Sequence, residues 1–400
     1  MGHHGGYAGV ILEIDLPTQY AARRPLPEDA AAQLLGGKAL AARHLLEQLT
    51  GKETALSEEN PLVLATAPLT GTGAPGSARF DLGALSPKDD RPAIANCGGN
   101  LGIRLKAAGY DALILRGRCQ SPTWLEISGD QVRFHPAGDL WGLGTGACRE
   151  RLADRLAGQT FASMCIGPAG EHLVKFASVV TDGHSTGRAG LGAVLGWKQL
   201  KAITVEGSQP LPLRDEAAAR EANRRWYAQL RQLAPEKPAG TVCTACPLHC
   251  PRHHRGEDSL LDELGMDAFA AKAGAGGRSA PALYRAIARN ELPEGAVLPR
   301  DKGGKRRGGG DGRIAGAFGL TSDSAEFCKH YTEAVCCLGQ CMFTLNGLTP
   351  ETGAQPLLDL LNAVTGRALT LPDLLTIGAR SRAIYRELEK RYEQSLRFRS

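Results

Sequence analysis

The sequence predicts an α+β fold, strand-rich over residues 1–208 and mostly helical over 209–400. Three observations predict it. The first half holds short apolar or β-branched runs bounded by glycine and proline, which is the pattern of strands. Beyond Pro210-Leu-Pro-Leu213 the runs lengthen, become rich in Ala, Arg and Glu, and repeat at helical spacing. A chain of 400 residues, 42% of them hydrophobic, is also long enough for the cores of roughly two or three domains.

Taken in order, strands are expected at Ala8–Ile14, Leu62–Ala65, Ala112–Leu115, Trp124–Ile127 and Ala202–Glu206. Gly129-Asp130, set between Leu125–Ser128 and Gln131–Phe134, marks a hairpin. Glu28–Leu35 and Lys38–Leu49 have helical periodicity on either side of a Gly36-Gly37 break, and Gly146–Leu156 forms a further helix. A domain boundary falls at Gly207-Ser208. After it, helices are expected at Asp215–Leu233, Leu260–Lys272, Pro281–Asn290, Ser324–Leu338, Pro356–Val364 and Pro372–Gln394. Residues 299–313 are basic, glycine-rich and aperiodic, and read as a flexible exposed loop with the charges of Lys302–Arg307 solvated.

A formal charge of +5 on a chain this long does not point to nucleic acid. No apolar run approaches the ~18–20 residues of a membrane span. The opening Met-Gly-His-His-Gly-Gly lacks the basic and apolar regions of a secretory signal. Eleven cysteines is an odd number, and seven of them cluster in 243–250 and 328–341. That clustering suits metal ligation in a reducing, cytoplasmic setting better than a disulfide framework.

The strongest chemical signal is Cys243-Thr-Ala-Cys246-Pro-Leu-His-Cys250. Thiolates at C-x2-C-x3-C spacing converge on one metal centre, because a tight turn after each cysteine returns the chain to the same point. A fourth thiolate would complete an iron–sulfur cluster, and His249, His253 or His254 would complete a zinc site. Spacing alone leaves both open. Three glycine-rich turns accompany it: Thr70–Arg79, Ala95–Gly102 and Thr181–Gly192. Such turns let backbone N–H groups reach an anion, and the forks of Arg79 and Arg188 suit phosphates or polar heterocycles. Packing alone would also explain the glycines.

Across residues 6–206 the chain resembles the tungsten-containing aldehyde:ferredoxin oxidoreductases. The resemblance is carried by Ala67-Pro-Leu-Thr-Gly-Thr72, Ala95-Asn-x-Gly-Gly99, Leu105-Lys-x-Ala-Gly-Tyr-Asp-Ala112, Ile166-Gly-Pro-Ala-Gly-Glu171, Leu173-Val-Lys-Phe-Ala177, Gly187-Arg188, Leu200-Lys-Ala-Ile203 and Val205-Glu-Gly207. It implies an N-terminal domain of two β-sheets that carries a tungsten or molybdenum bis-pyranopterin. A helical part follows, with a [4Fe-4S] cluster beside the pterin. By position, Cys243, Cys246, Cys250 and Cys341 would ligate the cluster, with Arg79 between cluster and pterin. Asn96, Gly98, Gly99, Arg188 and Ala189 would line the cofactor, the Asn96 and Ala189 backbones lying near a magnesium ion. Asp262, Gly265, Met266 and Asp267 match one pterin motif. In the second motif Gly339 is retained, and Cys336 stands where the family has Asp.

The resemblance also implies an electron acceptor such as ferredoxin, while the small net charge and the short apolar runs predict no nucleic acid and no membrane as partner. Much of the family's helical part has no counterpart, including its acid–base Glu and His. Only eleven residues separate Cys250 from Asp262. A cofactor left more open would be covered by another subunit or a second copy. Two functions follow: an aldehyde-type oxidoreductase, or a non-catalytic paralogue acting as an electron-transfer or accessory subunit.

Overall fold

The protein is described from a computed structural model. The structure describes residues 5–182, 184–186, 189–232, 244, 246, 247, 325–341, 344 and 354–399, with Ala325, Cys328 and 394–399 described by backbone only. The predicted helices Leu260–Lys272 and Pro281–Asn290 and the 299–313 segment lie outside these residues.

Twelve strands form two six-stranded mixed sheets. The first contains β1 (Val10–Asp15), β2 (Tyr20–Pro25), β3 (Leu62–Ala65), β4 (Phe80–Ser86), β5 (Arg91–Cys97) and β6 (Ala112–Arg116) in the order β2-β1-β6-β3-β4-β5. Its one parallel pairing is β1 with β6. The second contains β7 (Thr123–Ser128), β8 (Gln131–Pro136), β9 (Phe161–Cys165), β10 (Val180–Thr181), β11 (His184–Ser185) and β12 (Leu200–Glu206) in the order β11-β10-β9-β12-β7-β8. Here the parallel pairing is β12 with β7.

Strand alternation places the cores. In β6, Leu113 and Leu115 join a cluster that also takes Leu125, Ile127, Ile203 and Val205 from the second sheet. The helices α3 (Leu101–Ala107) and α6 (Leu191–Trp197) contribute Leu101, Leu105, Leu191 and Val194 to the same core. Ala112 and Ile114 face the other way, against α2 (Gly37–Gln48) and the long α10 (Leu371–Arg399). The period of two thus gives β6 two buried faces. On its other face the second sheet packs Trp124, Cys165 and Ala202 against Cys148, Leu152 and Leu156, the first two from α4 (Thr145–Arg155).

The remaining helices are α1 (Glu28–Leu34), α5 (Pro168–Glu171), α7 (Glu216–Gln232), α8 (Ala325–Cys336) and α9 (Gln355–Thr365). Trp226 and Leu230 of α7, Tyr331 and Val335 of α8, and Leu357 to Val364 of α9 share one core with Leu34, Leu35, Leu69 and Ala74. The C-terminal helices are therefore packed on the turn that follows β3. That contact delivers the end of α8 to the site. Among the described residues, no helix is long and apolar enough to cross a membrane.

The predicted strands and described helices match to within a few residues at their ends. β2, β4, β5 and β9–β11 have no counterpart among the predicted strands. β2 is an edge strand whose Arg23, Arg24 and Pro25 are exposed, so its apolar signal is weak. β4 carries Asp81 and Gly83 inside an otherwise apolar run, and β10 and β11 span two residues each.

Candidate functional site

The site forms where the turn after β3, the end of β5, the β10–β11 hairpin and the end of α8 meet. The turn Ala67–Arg79 is wired by hydroxyls. Thr70 Oγ1 donates to Arg79 O at 2.9 Å and accepts from Ala67 N at 3.2 Å, while Thr72 Oγ1 donates to Leu69 O at 2.7 Å. The loop after α8 docks on this turn through backbone hydrogen bonds. Leu69 N donates to Leu338 O at 3.3 Å and Cys341 N donates to Gly76 O at 3.0 Å. Thr344 closes the loop, with its N and Oγ1 both donating to Cys341 O.

Gly339 fits here for a stated reason. Its φ is +72°, and a Cβ would stand 2.4 Å from Thr70 Oγ1. Gly339→Ala is expected to destabilise the fold by about 1–3 kcal/mol, from strain and loss of the Thr70 contact. Gly129→Ala is the control, since Gly129 also has positive φ but nothing within 4 Å of a Cβ. Urea denaturation of the two variants should show the larger loss at Gly339.

Arg79 joins three of the predicted residues. One guanidinium nitrogen lies 3.2 Å from Cys341 Sγ, and the other 3.5 Å from Asn96 Oδ1. Cys341 itself is buried. The Asn96 amide is turned so that Nδ2 donates to Asp81 Oδ1 at 3.3 Å and to Phe80 O at 3.4 Å.

Gly98 and Gly99 begin the turn into α3. A Cβ at Gly98 would stand 2.7 Å from the His184 ring, and one at Gly99 would stand 2.7 Å from Thr181 Oγ1. The β10–β11 hairpin therefore packs directly on this turn. Thr181 Oγ1 donates to Gly98 O at 2.8 Å, and Asn100 N donates to Asp182 Oδ2 at 2.9 Å. The anion met at the start of α3 is thus the chain's own Asp182 carboxylate. Ala189 is half-buried beside Gly190, the left-handed residue that starts α6.

Three residues of the cysteine-triplet segment, Thr244, Cys246 and Pro247, are described. Thr244 Oγ1 donates to Asn100 Oδ1 at 2.7 Å, which ties the segment to the Gly98–Asn100 turn. Cys246 is half-buried against the helical core. Cys243, Cys250, Asp262, Gly265, Met266, Asp267 and Arg188 lie outside the described residues. Among the described residues, no group of three or more His, Cys, Asp or Glu is arranged to hold a metal ion.

Asp81, Lys38 and Glu333, which the sequence reading did not assign to the site, complete the surroundings together with Cys336 and His184. Asp81 is buried, its Oδ2 has no hydrogen-bond partner among the described residues, and burial pushes its carboxyl up to about 7. Lys38 Nζ reaches Glu333 Oε1 at 2.6 Å. Cys336, at the second pterin motif, lies within the field of Lys38, Asp81 and Glu333, and burial raises its thiol far above the ordinary range. His184 Nδ1 lies 3.2 Å from Asp182 O; since a carbonyl only accepts, Nδ1 carries the proton. The acidic residue Asp81 inside the apolar run Phe80–Leu85 was the available sequence signal for this group.

Two buried ion pairs explain motif residues outside the site. Lys106 Nζ pairs with Asp111 Oδ1 at 2.7 Å and Lys201 Nζ with Glu171 Oε1. Lys106, Asp111, Glu171 and Lys201 all belong to the segments that carry the family resemblance, and here they brace the sheets.

The site thus seats an arginine of the two-sheet part on a buried cysteine that follows α8. Residues 11–207 match the family model described as aldehyde ferredoxin oxidoreductase, N-terminal domain. The tungsten-containing aldehyde ferredoxin oxidoreductase of Thermococcus kodakarensis is 38% identical over 212 residues, 53% of this chain and 35% of that protein. The aliphatic sulfonate oxidoreductase, WOR-like subunit, of Pyrococcus furiosus is 33% identical over 252 residues, 59% of this chain and 40% of that protein. The match thus spans well under half the length of these relatives. In fold, the chain is similar to a chain of the active site complex BamBC of benzoyl coenzyme A reductase, with a TM-score of 0.79 at 17% identity, covering 98% of this chain and 90% of that one. Residues 11–207 thus resemble the N-terminal domain of the aldehyde ferredoxin oxidoreductase family.

Proposed function

We propose that the chain is a tungsten- or molybdenum-pterin oxidoreductase that takes electrons from an aldehyde or related substrate. It passes them through a [4Fe-4S] cluster to ferredoxin or a similar carrier. The single observation that carries this reading is the Arg79 guanidinium on Cys341 Sγ. A cationic N–H donor facing a buried sulfur is the polarity that a ligated thiolate takes, and it fits the donor set of an iron–sulfur cluster. Cys341 would hold the cluster with Cys243, Cys246 and Cys250. The backbones of Asn96, Gly98, Gly99 and Ala189, with Arg188, would face the pterin and a magnesium ion, and Asp262 to Asp267 and Gly339 would supply its two motifs. When bound, the metal and pterin supply the two-electron chemistry, while the chain supplies orientation and charge.

The test is composition. The full chain, expressed with tungstate or molybdate and purified without oxygen, is expected to carry metal, pterin and roughly four irons per chain. Iron without pterin would sink the enzyme reading. A second reading, an electron-transfer or accessory subunit, is favoured by Cys336 at the second motif. Turnover of short aldehydes with a viologen acceptor, lost in Arg79→Ala and Cys341→Ala, would exclude it. One relative, the aliphatic sulfonate oxidoreductase chain, is itself a subunit, which supports a covering partner or second copy; the mass of the purified complex would report it.

A further inference from the structure

Asp81 stands one layer behind the contact between Arg79 and Cys341. β4 and β5 are antiparallel, and their register sets Asp81 directly opposite Asn96. Cross-strand partners share a face of the sheet, so the two side chains meet there. A primary amide has an acceptor and a donor at the same end, and its neighbours decide which way round it stands. Asp81 Oδ1 accepts from Asn96 Nδ2 at 3.3 Å, so Asn96 Oδ1 is presented to Arg79. With the amide reversed, its NH₂ would face the guanidinium, donor against donor. The orientation imposed by Asp81 leaves an acceptor for one guanidinium nitrogen while the other reaches Cys341 Sγ at 3.2 Å.

Hydrogen bonds to cluster sulfurs help set the reduction potential, because they stabilise the extra negative charge of the reduced state. We propose that Asp81 is a positioning residue: through Asn96 it holds Arg79 on Cys341 Sγ and so keeps the reduction potential of the cluster higher than it would otherwise be. This rests on the reading above that Cys341 ligates a cluster.

The experiment compares two variants that carry the same charge. Asp81→Asn keeps an oxygen acceptor for Asn96, whereas Asp81→Ala does not. Both remove the carboxylate charge, so its direct effect cancels between them. A redox titration followed by electron paramagnetic resonance, on anaerobically prepared full chain at one pH, reads the midpoint. The expected result is a lower midpoint in Asp81→Ala than in Asp81→Asn at equal iron content. Asp81→Leu fills the space of the carboxyl without an acceptor and should behave as Asp81→Ala; it serves where the alanine variant fails to fold. Equal midpoints in all three overturn the proposal. Loss of iron from both apolar variants, with iron retained in Asp81→Asn, also overturns it, since Asp81 would then hold the Cys341 loop rather than Arg79. A wild-type chain without iron overturns the underlying reading as well, which separates the two failures.

Discussion

Lys201→Met is expected to destabilise the folded chain by about 3–5 kcal/mol, because it strands the Glu171 carboxyl in the interior. The side chains of Lys201 and Glu171 are 0% and 2% exposed, so water cannot replace the lost partner. Lys201 Nζ also donates to Leu143 O at 2.8 Å, and Glu171 Oε2 accepts from Gly142 N at 2.8 Å. The pair therefore ties α5 and β12 to the loop ahead of α4. Even with Lys201 present, burial raises the Glu171 carboxyl above its ordinary value. Without the lysine it would take up a proton more readily, so the loss should be smaller at pH 5 than at pH 8. Replacing both residues by methionine should recover most of the stability, since two apolar groups leave no charge unpaired. Urea denaturation of the two single variants and the double variant, closed as a cycle, measures the coupling. A Lys201→Met loss that is small and independent of pH would show that Glu171 is already neutral in the native protein.

This pair also shows where sequence reasoning runs out. Glu171 and Lys201 sit thirty positions apart, on α5 and β12, and no periodicity links them. The same holds for Lys106, which is buried against Asp111 and also reaches Gly6 O from a hundred positions away. In the sequence these residues mark a family; only the fold shows that they neutralise one another. Local structure was more legible. β3, β6 and β12 run inside the sheets and are apolar enough to announce themselves, whereas β4 and β9, also internal, are interrupted by Asp81 and Gly83 and by Ser163. Edge strand β2 and the two-residue β10 and β11 do not announce themselves either. In the site, Arg79, Asn96 and Cys341 were legible as separate residues. Their connection was not, because it depends on the docking of the α8 loop on the Ala67–Arg79 turn. Asp81 went unread for a related reason: one acid in an apolar strand has no meaning until the register sets it opposite Asn96.

Asp81 should also leave a pH signature that is independent of any cofactor. An ordinary Asp carboxyl titrates near ~3.9, whereas burial holds this one up to about 7. Opposing contributions come from the Asn96 hydrogen bond and from the Lys38 and Arg79 charges, while Glu333 adds to the rise. The buried thiol of Cys336 lies in the same field. The sign follows from proton counting. Between about pH 4 and pH 7 the native chain holds a proton at Asp81 that the unfolded chain has released, so Asp81 makes stability fall as pH rises through that window. Asp81→Asn removes this titration while keeping an acceptor for Asn96. The variant should match the wild type near pH 4, gain on it up to pH 7, and stay ahead above that by on the order of 2–4 kcal/mol. Urea melts of the cofactor-free protein at a series of pH values would measure the difference. A difference that does not change with pH would mean that Lys38 and Arg79 keep the carboxylate ionised throughout, with Oδ2 held by charge alone.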